Sequence, residues 1–318
     1  STSGEFYVCT DATTDENVWT NVGDGTGDIE PYRYGGTQYG YVSGGSDASN
    51  ALNVADKWSF PSGTAATDVG DLTSVRHNPC GNQSGTHGYT EGGYGATYSN
   101  IIDKVSFSSD GNYVDVGDLT TAPHGPASSS SETHGYVCGG KPSGYHDVVD
   151  KHQYSSDGNS TDVGNLTVAR QQASGQSSTT YGYTSGGNAP SNSDVIDKTD
   201  FSSDGNSVDV GDLFEAQSDT AGASSTTEGF KAGGSSTTSD TIQKFSFTSD
   251  GDATDVSNTA TQRHGMVGAS ELTYGYVSGG RTAVNINAIE KWAYASADNA
   301  TDVNDLTVGR YQSAGHHY

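Results

Sequence analysis

The chain has few of the residues that build an ordinary hydrophobic core. Only 46 of its 318 residues are Leu, Ile, Val or Phe, and 39 acidic side chains against 14 basic ones leave a net charge of −25. Such a composition is typical of disordered chains. The 44 glycines, 19 tyrosines and abundant Ser, Thr, Asp and Asn also fit many short strands joined by tight turns. Composition alone therefore does not decide the fold.

Other shortages exclude whole classes of protein. The scarcity of Lys and Arg argues against a nucleic-acid partner, because phosphate binding needs clustered basic side chains. No run approaches the 18 apolar residues of a membrane helix, so we expect no membrane insertion. Three cysteines cannot form a complete set of internal disulfides. A chain that begins at Ser1 without methionine is expected to be processed or to be a fragment.

A seven-residue phrase such as YGYVSGG recurs six times along the chain. Each copy is followed by a variable stretch, a segment such as IDKVSF, a turn such as SSDGN and a segment such as TDVGDL. The copies keep a spacing of 46–48 residues, measured at their last glycines: Gly45, Gly93, Gly140, Gly187, Gly234 and Gly280. A disordered chain would have no reason to keep such a constant spacing, so the repeat predicts a folded array of structural units.

The repeat unit predicts an all-β fold. Each unit holds four strand-length segments that alternate apolar with small or polar residues, and Asp-Gly supplies the positive φ angles of a tight hairpin turn. Six such units predict a six-bladed β-propeller with four-stranded blades over residues 29–318. Residues 310–315 repeat the first-strand phrase of residues 170–175, so the C-terminal strand is expected to complete the first blade and close the ring.

Residues 1–28 are expected to lie outside the ring. Residues 5–10 and 17–22, separated by an Asp/Thr-rich turn, predict a β-hairpin.

Two resemblances suggest a biological setting. The paired glycines and four-stranded unit resemble the kelch repeat. The kelch tryptophan of the fourth strand is replaced by valine: Val69, Val116, Val163, Val210, Val256 and Val303. The segment GEFYVCTDATTDENVWTNVGDG looks like short hairpins of bacteriophage tail-fibre proteins, and its combination with a Gly- and Ser-rich propeller resembles phage and marine virus appendage proteins. This resemblance implies an extracellular position on a virion surface, and assembly as a homo-oligomer or with other virion or filament subunits through the N-terminal segment.

Repetition separates scaffold residues from free ones. Ten basic residues recur at fixed blade positions and are expected to pair with local Asp and backbone carbonyls: Lys57, Lys104, Lys151, Lys198, Lys244, Lys291, Arg76, Arg170, Arg263 and Arg310. Arg33, Lys141, Lys231 and Arg281 fall outside this pattern.

The variable loops are the predicted recognition surface. Four strands per blade place the second-to-third and fourth-to-first connections on one face, where sequence varies most. Candidate ligand-binding residues there are Tyr94, Tyr98, Lys141, Tyr145, His146 and Arg281. Tyrosine stacks well on sugar faces, so a host surface glycan or protein is the expected partner. The alternative is that these side chains only pack their own loops.

A second set of side chains is expected at the mouth of the central channel: His77, His124, Gln171, Ser218, His264 and Tyr311. The three histidines come from blades 2, 3 and 6, too far apart for metal bonds of about 2.1 Å, so we expect no metal site. The chain has no DxDxDG calcium loop, and its acids fit a solvated negative surface. No cofactor is expected.

Three functions fit the sequence. The preferred hypothesis is a non-catalytic virion adhesion module; the alternative is a structural coat, decoration or filament subunit without a ligand. A sugar-processing propeller enzyme would need carboxylates unique to one blade, for which Glu91 and Glu215 and the channel histidines are the candidates.

Overall fold

Six four-stranded antiparallel sheets follow one another around a ring in the computed structural model, which describes residues 6–12, 17–22, 32–235 and 239–318. The predicted all-β, six-bladed propeller is confirmed. The chain divides into two compact units, Ser1–Arg33 and Tyr34–Tyr318. The second unit contains all six blades.

The blades share one strand order from the channel to the rim. The innermost strands are β6 (Cys80–Gln83), β10 (Ala127–Ser130), β14 (Ser174–Ser177), β20 (Ala221–Ser224), β24 (Val267–Ser270) and β28 (Ala314–His317). The second strands are β3 (Tyr39–Ser43), β7 (His87–Glu91), β11 (His134–Cys138), β15 (Tyr181–Ser185), β21 (Glu228–Gly234) and β25 (Tyr274–Ser278). The third strands are β4 (Val54–Ser59), β8 (Ile101–Ser106), β12 (Val148–Gln153), β18 (Val195–Asp200), β22 (Ser239–Ser246) and β26 (Ala288–Ala293). The outermost strands are β5 (Thr67–Asp71), β9 (Val114–Asp118), β13 (Thr161–Asn165), β19 (Val208–Asp212), β23 (Thr254–Asn258) and β27 (Thr301–Asp305).

Two small hairpins complete the strands. In the first unit β1 (Tyr7–Asp11) pairs with β2 (Val18–Asn21), with Cys9 opposite Trp19. These strands fall within the predicted hairpin, although part of its turn, residues 13–16, lies outside the described residues. In the variable loop of blade 4, β16 (Asn188–Ala189) pairs with β17 (Ser191–Asn192).

The C-terminal strand closes the ring, as predicted. Strand β28 pairs with β3, with Ala314 opposite Ser43. The carbonyl oxygen of Tyr318 accepts hydrogen bonds from the amides of Thr37, Gln38 and Tyr39 at 2.6–3.1 Å. The first blade is therefore assembled from both ends of the second unit. Residues 29–31 of the predicted ring lie outside the described residues.

Stacked aromatic side chains explain how the propeller forms a core with so few aliphatic residues. At each junction an aromatic residue of the second strand packs on one at the end of the third strand of the next blade, with ring centroids 4.7–5.0 Å apart. The pairs are Tyr41–Phe107, Tyr89–Tyr154, Tyr136–Phe201, Tyr183–Phe247, Phe230–Tyr294 and Tyr276–Phe60. Aromatic pairs bury large areas and add about 0.5–1.5 kcal/mol beyond the area itself. The core thus lies between blades.

The glycine before each second-strand aromatic permits this close packing. A Cβ atom at Gly40 would lie 2.2 Å from the ring of Trp58. The paired glycines serve another purpose, since Gly44 and Gly45 have φ angles of +64° and +98°, which side chains disfavour.

The outer rim is joined by a closed set of hydrogen bonds. The last residue of each outermost strand accepts a backbone hydrogen bond of 2.8–3.0 Å from the hairpin of the next blade. The donors are Ala66, Tyr113, Ser160, Ser207, Ala253 and Ala300. The bond from Ala66 to Asp305 joins blade 1 to blade 6 and completes the circle.

The recurrent basic residues form ion pairs between blades, which corrects the expected partners. Lys57 reaches Asp110 in the hairpin of the next blade at 2.8 Å, rather than the adjacent Asp56. At four junctions the acid beside the lysine instead binds an arginine; Arg76, for example, binds Asp103 at 2.8 Å, with both side chains buried. A local acid serves only Lys244, which binds Glu228 of its own blade because Ala297 replaces the hairpin aspartate.

Candidate functional site

Backbone hydrogen bonds join each variable loop to the channel mouth. The residue after the paired glycines lies opposite the residue that follows the arginine position. Tyr94 and His77 exchange two bonds of 2.8 and 2.9 Å, and Arg281 and His264 exchange two of 2.8 and 3.2 Å. The loop residues and mouth residues that the sequence suggests separately therefore form one continuous surface.

A closed ring of hydrogen bonds lies just inside this surface. Six residues, one per blade, each donate a backbone amide to the carbonyl of the neighbouring blade at 2.6–3.0 Å, and their φ angles are all between +51° and +66°. They are Asn78, Gly125, Gln172, Asp219, Gly265 and Gln312. The side chain of Asp219 also accepts hydrogen bonds from Gln172 at 2.6 Å and Gln312 at 3.2 Å. The channel is thus constricted and bridged at this end.

Below this ring the channel encloses a cavity of about 110 Å³. Its lining includes one small residue from each innermost strand: Gly81, Ser128, Gly175, Gly222, Gly268 and Gly315. Tyr34 also lines it and meets His317 edge to face, with ring centroids 4.7 Å apart. A cavity of this size and lining has room for a few water molecules.

Four aromatic side chains of blades 2 and 3 form a cluster on the outer side of the mouth. The ring centroids of His77 and Tyr94 are 5.6 Å apart, those of Tyr94 and Tyr98 5.1 Å, and those of Tyr98 and His124 6.3 Å. Tyr98 is 47% exposed, so one aromatic ring of the cluster is offered to solvent. Burial lowers the pKa of His77 and His124 below the usual value, which keeps both imidazoles neutral at pH 7.

Lys141 and Tyr145 continue this cluster. The amide of Lys141 donates to the carbonyl of His124 at 3.0 Å, and its Nζ lies 4.5 Å from the centroid of the Tyr145 ring. The hydroxyl of Tyr145 donates to Oδ1 of Asn188 in the loop of blade 4 at 2.6 Å. Asn188 in turn exchanges backbone hydrogen bonds with Gln171. We call His77, Tyr94, Tyr98, His124, Lys141 and Tyr145 the aromatic arc.

A second cation–tyrosine pair lies at blades 6 and 1. The guanidinium carbon of Arg281 is 5.1 Å from the centroid of the Tyr311 ring, and its Nη1 donates to the Tyr311 hydroxyl at 3.2 Å. His264 lies beside this pair, with its ring centroid 6.4 Å from that of Tyr311. Arg281 and Tyr311 thus form a cation–tyrosine pair like that of Lys141 and Tyr145, with arginine in place of lysine.

His146 has the position of a loop-packing residue. Its amide donates to the carbonyl of Gly140 at 2.9 Å, and its own carbonyl accepts from the amide of Arg170 at 3.0 Å. Leu52 and Ser193 make the first of these bonds in their loops. The backbone at this position holds the loop closed whatever side chain it carries.

The two candidate catalytic carboxylates lie at different blade junctions. Glu91 is fully buried between blades 2 and 3, where it accepts a hydrogen bond from Nδ2 of Asn82 at 2.7 Å and pairs with His152. Glu215 accepts from Gln217 at 3.1 Å, in the connection between blades 4 and 5. The buried pair of Glu91 with His152 was not foreseen from the sequence.

The channel-mouth histidines do not converge. The rings of His77 and His124 are 5.3 Å apart, whereas His264 faces Asp219, with 3.7 Å between Nδ1 and Oδ2. Across the described ranges, no three His, Cys, Asp or Glu side chains are grouped so as to hold a metal ion. Cys9, Cys80 and Cys138 are free thiols. The same part of the chain contains no helix long and apolar enough to cross a membrane.

Sequence reasoning missed Asn188 and the inner ring. The ring had a readable signal, because the position after each mouth residue is always Gly, Asn, Asp or Gln. Gly and Asn adopt positive φ most readily, and Asp shares that tendency. In comparisons with known proteins, neither a protein-family model nor a curated protein matches the chain.

Proposed function

We propose that the protein is a non-catalytic adhesion module that binds a host surface glycan or protein through the aromatic arc. The observation that carries this proposal is the continuous arrangement of tyrosine, histidine and lysine side chains over blades 2 and 3, with Tyr98 exposed to solvent. Tyrosine and histidine combine flat apolar faces with hydrogen-bonding groups, which suits sugar rings and peptide segments.

The contrast between the two faces supports this assignment. On the opposite face, four recurrent lysines are engaged by hairpin aspartates of the following blade, as in the 2.6 Å pair of Lys198 with Asp250. The tyrosines and the lysine of the aromatic arc instead occur in single blades, whereas His77 and His124 share their repeat position with His264. Side chains free of the repeat are available for recognition.

The proposal places the protein outside the cell, as a virion appendage whose N-terminal hairpin contacts other subunits. This part rests on the tail-fibre-like and kelch-like sequence resemblances. The hairpin exposes Phe6 and Val22, and a two-stranded hairpin is at best marginally stable in water. Pairing with another subunit, including a second copy of the chain, would cover these side chains. A structural coat or filament subunit would make the same hairpin contact with another subunit, but its aromatic arc would bind no ligand.

Binding measurements separate these functions. The purified chain is tested against microbial surface polysaccharides and intact cells while released reducing sugar is assayed. We expect saturable binding without sugar release, and a loss of binding of about fivefold in Tyr98→Ala, since stacking on one aromatic ring contributes on the order of 1 kcal/mol.

Phe214→Ala is the matched control, because Phe214 is another exposed aromatic side chain, in the connection between blades 4 and 5 and outside the arc. It should bind as the unmodified chain does. Sugar release would indicate an enzyme and would return attention to Glu91, Glu215 and the histidines. Absence of binding to every surface would favour the structural subunit.

A further inference from the structure

We infer that the ligand of the aromatic arc is an anionic saccharide whose acidic group binds Lys141 while a sugar ring stacks on Tyr98. This inference rests on the proposed function and specifies the chemistry of its ligand. It is carried by a lysine without a carboxylate partner, Lys141, whose amide is bonded to His124, the residue whose ring lies next to the exposed Tyr98.

The ion pairs of the scaffold make Lys141 distinctive. The four recurrent arginines each bind a buried acid, and five of the six recurrent lysines bind a carboxylate. Neither Lys141 nor Arg281 has an acidic side chain within 4.0 Å in the described part of the chain. Lys291, the sixth recurrent lysine, also has no carboxylate among the described residues and lies 4.5 Å from the centroid of the Tyr274 ring.

The surroundings of Lys141 hold the ammonium group without using its hydrogen bonds. Its Nζ lies 4.5 Å from the centroid of the Tyr145 ring. The face of an aromatic ring attracts a cation but carries no strong hydrogen-bond acceptor atom. Tyr145 is itself fixed by its 2.6 Å hydrogen bond to Asn188. The ammonium donors remain available to an external carboxylate or sulfate.

The neighbouring side chains fit the rest of a saccharide. Lys141 is joined through its backbone to His124, whose ring centroid is 6.3 Å from that of the exposed Tyr98. The hydroxyl of Tyr98 can donate to or accept from sugar hydroxyls, whereas Nε2 of His124 already accepts a hydrogen bond from Nδ2 of Asn78 at 2.9 Å. A cation, an aromatic platform and polar groups are therefore combined within blades 2 and 3.

The net negative charge of the protein makes a preference for anionic ligands easier to interpret. A chain of charge −25 repels polyanions at long range, so non-specific attraction cannot explain a preference for an anionic ligand. Any such preference must come from the local cations of this face. Arg281 with Tyr311 is a second place where an acidic group of a longer chain could bind.

The experiment compares two matched pairs of probes by calorimetry: hexagalacturonate with its carboxyl-reduced form, and dextran sulfate with dextran. The variants are Lys141→Met, Lys141→Arg and, as a control, Lys104→Met, which removes a scaffold lysine of the opposite face. We expect at least one anionic probe to bind at least tenfold more tightly than its neutral partner. That preference should be lost in Lys141→Met, largely restored in Lys141→Arg and retained in Lys104→Met.

Equal binding of the charged and neutral members of both pairs would overturn the inference, as would a preference that survives Lys141→Met. Absence of binding to all four probes would also overturn it if the chain binds cells or neutral polysaccharides in a Tyr98-dependent way. In that case the proposed function stands without an anionic ligand. If Tyr98→Ala has no effect on any surface, the proposed function fails with it.

Discussion

Arg310 and Asp56 form a buried ion pair across the closure of the ring. Arg310 lies in the connection that leads into the C-terminal strand, whereas Asp56 lies in the third strand of the first blade, and both side chains are fully buried. Asp56 also accepts hydrogen bonds from the amide and hydroxyl of Thr307 at 2.9 and 2.6 Å. The same side chain therefore holds the end of the chain through charge and through two neutral donors.

Removing the charge of Asp56 should both destabilise the protein and loosen its C-terminal strand. Asp56→Asn leaves the buried guanidinium without its counterion, which costs about 3–5 kcal/mol in the free energy of unfolding. Urea denaturation measures this loss, and hydrogen exchange of residues 314–317 reports the loosening.

Asp197→Asn is the matched control, because Asp197 pairs with Arg170 at 3.0 Å inside the continuous part of the ring. It should lower stability by a similar amount without speeding exchange in residues 314–317. Equal exchange in the two variants would contradict a special role of the closing pair.

Lys231 should weaken the junction between blades 4 and 5. At this junction Gln217 replaces arginine and Gln243 replaces the acid, while Lys231 is fully buried on the second strand, opposite Gln243. No hydrogen-bond partner of its Nζ is present in the described part of the chain. Burial lowers the pKa of Lys231 to about 7.

Replacing this lysine should therefore stabilise the protein. Lys231→Met removes an amine that loses hydration on folding, and we expect a gain on the order of 2 kcal/mol at pH 7 by urea denaturation. Because the unfolded chain keeps this proton up to about pH 10.5 while the folded chain releases it near pH 7, the advantage of Lys231→Met should shrink as pH rises from 7 to 9. A variant less stable than the original chain at pH 7 would contradict this account.

The closing strand should make the ring sensitive to acid. Burial lowers the pKa of His316 to about 3 and that of His317 to about 4. Nδ1 of His317 accepts a hydrogen bond from the amide of Ser270 at 3.4 Å, and its Nε2 donates to the carbonyl of Tyr34 at 2.8 Å. Both histidines are therefore neutral in the folded protein.

As pH falls below about 6.5 the unfolded chain binds protons that the folded chain does not, so stability is lost in the acid range. At pH 4.5 the loss is about 2.5 kcal/mol for each histidine relative to pH 7. His316→Gln and His317→Ser use residues found at the same positions in other blades, Gln176 and Ser270. The double variant should retain more of its pH 7 stability at pH 4.5, as measured by urea denaturation; an identical loss in both proteins would refute the assignment.

The architecture could be predicted from the repeat. The spacing of its copies, its turn sequences and the C-terminal copy of the first-strand sequence can all be read from local patterns. The repeat could not predict which residues meet across blades. Lys57 and Asp110 are 53 positions apart, and nothing in one repeat indicates that its lysine binds the hairpin of the next. The strand order of the blades could be predicted, but the joining of Tyr94 to His77 depends on backbone hydrogen bonds between two separate connections of the chain.

Hydrogen–deuterium exchange with and without a saturating polysaccharide tests the central claim most directly. The account predicts new protection in residues 94–98 and 141–146, and none in the hairpins of the opposite face around Asp110 and Asp157. Protection confined to those hairpins, or spread evenly over the chain, would show that the aromatic arc is not the binding surface.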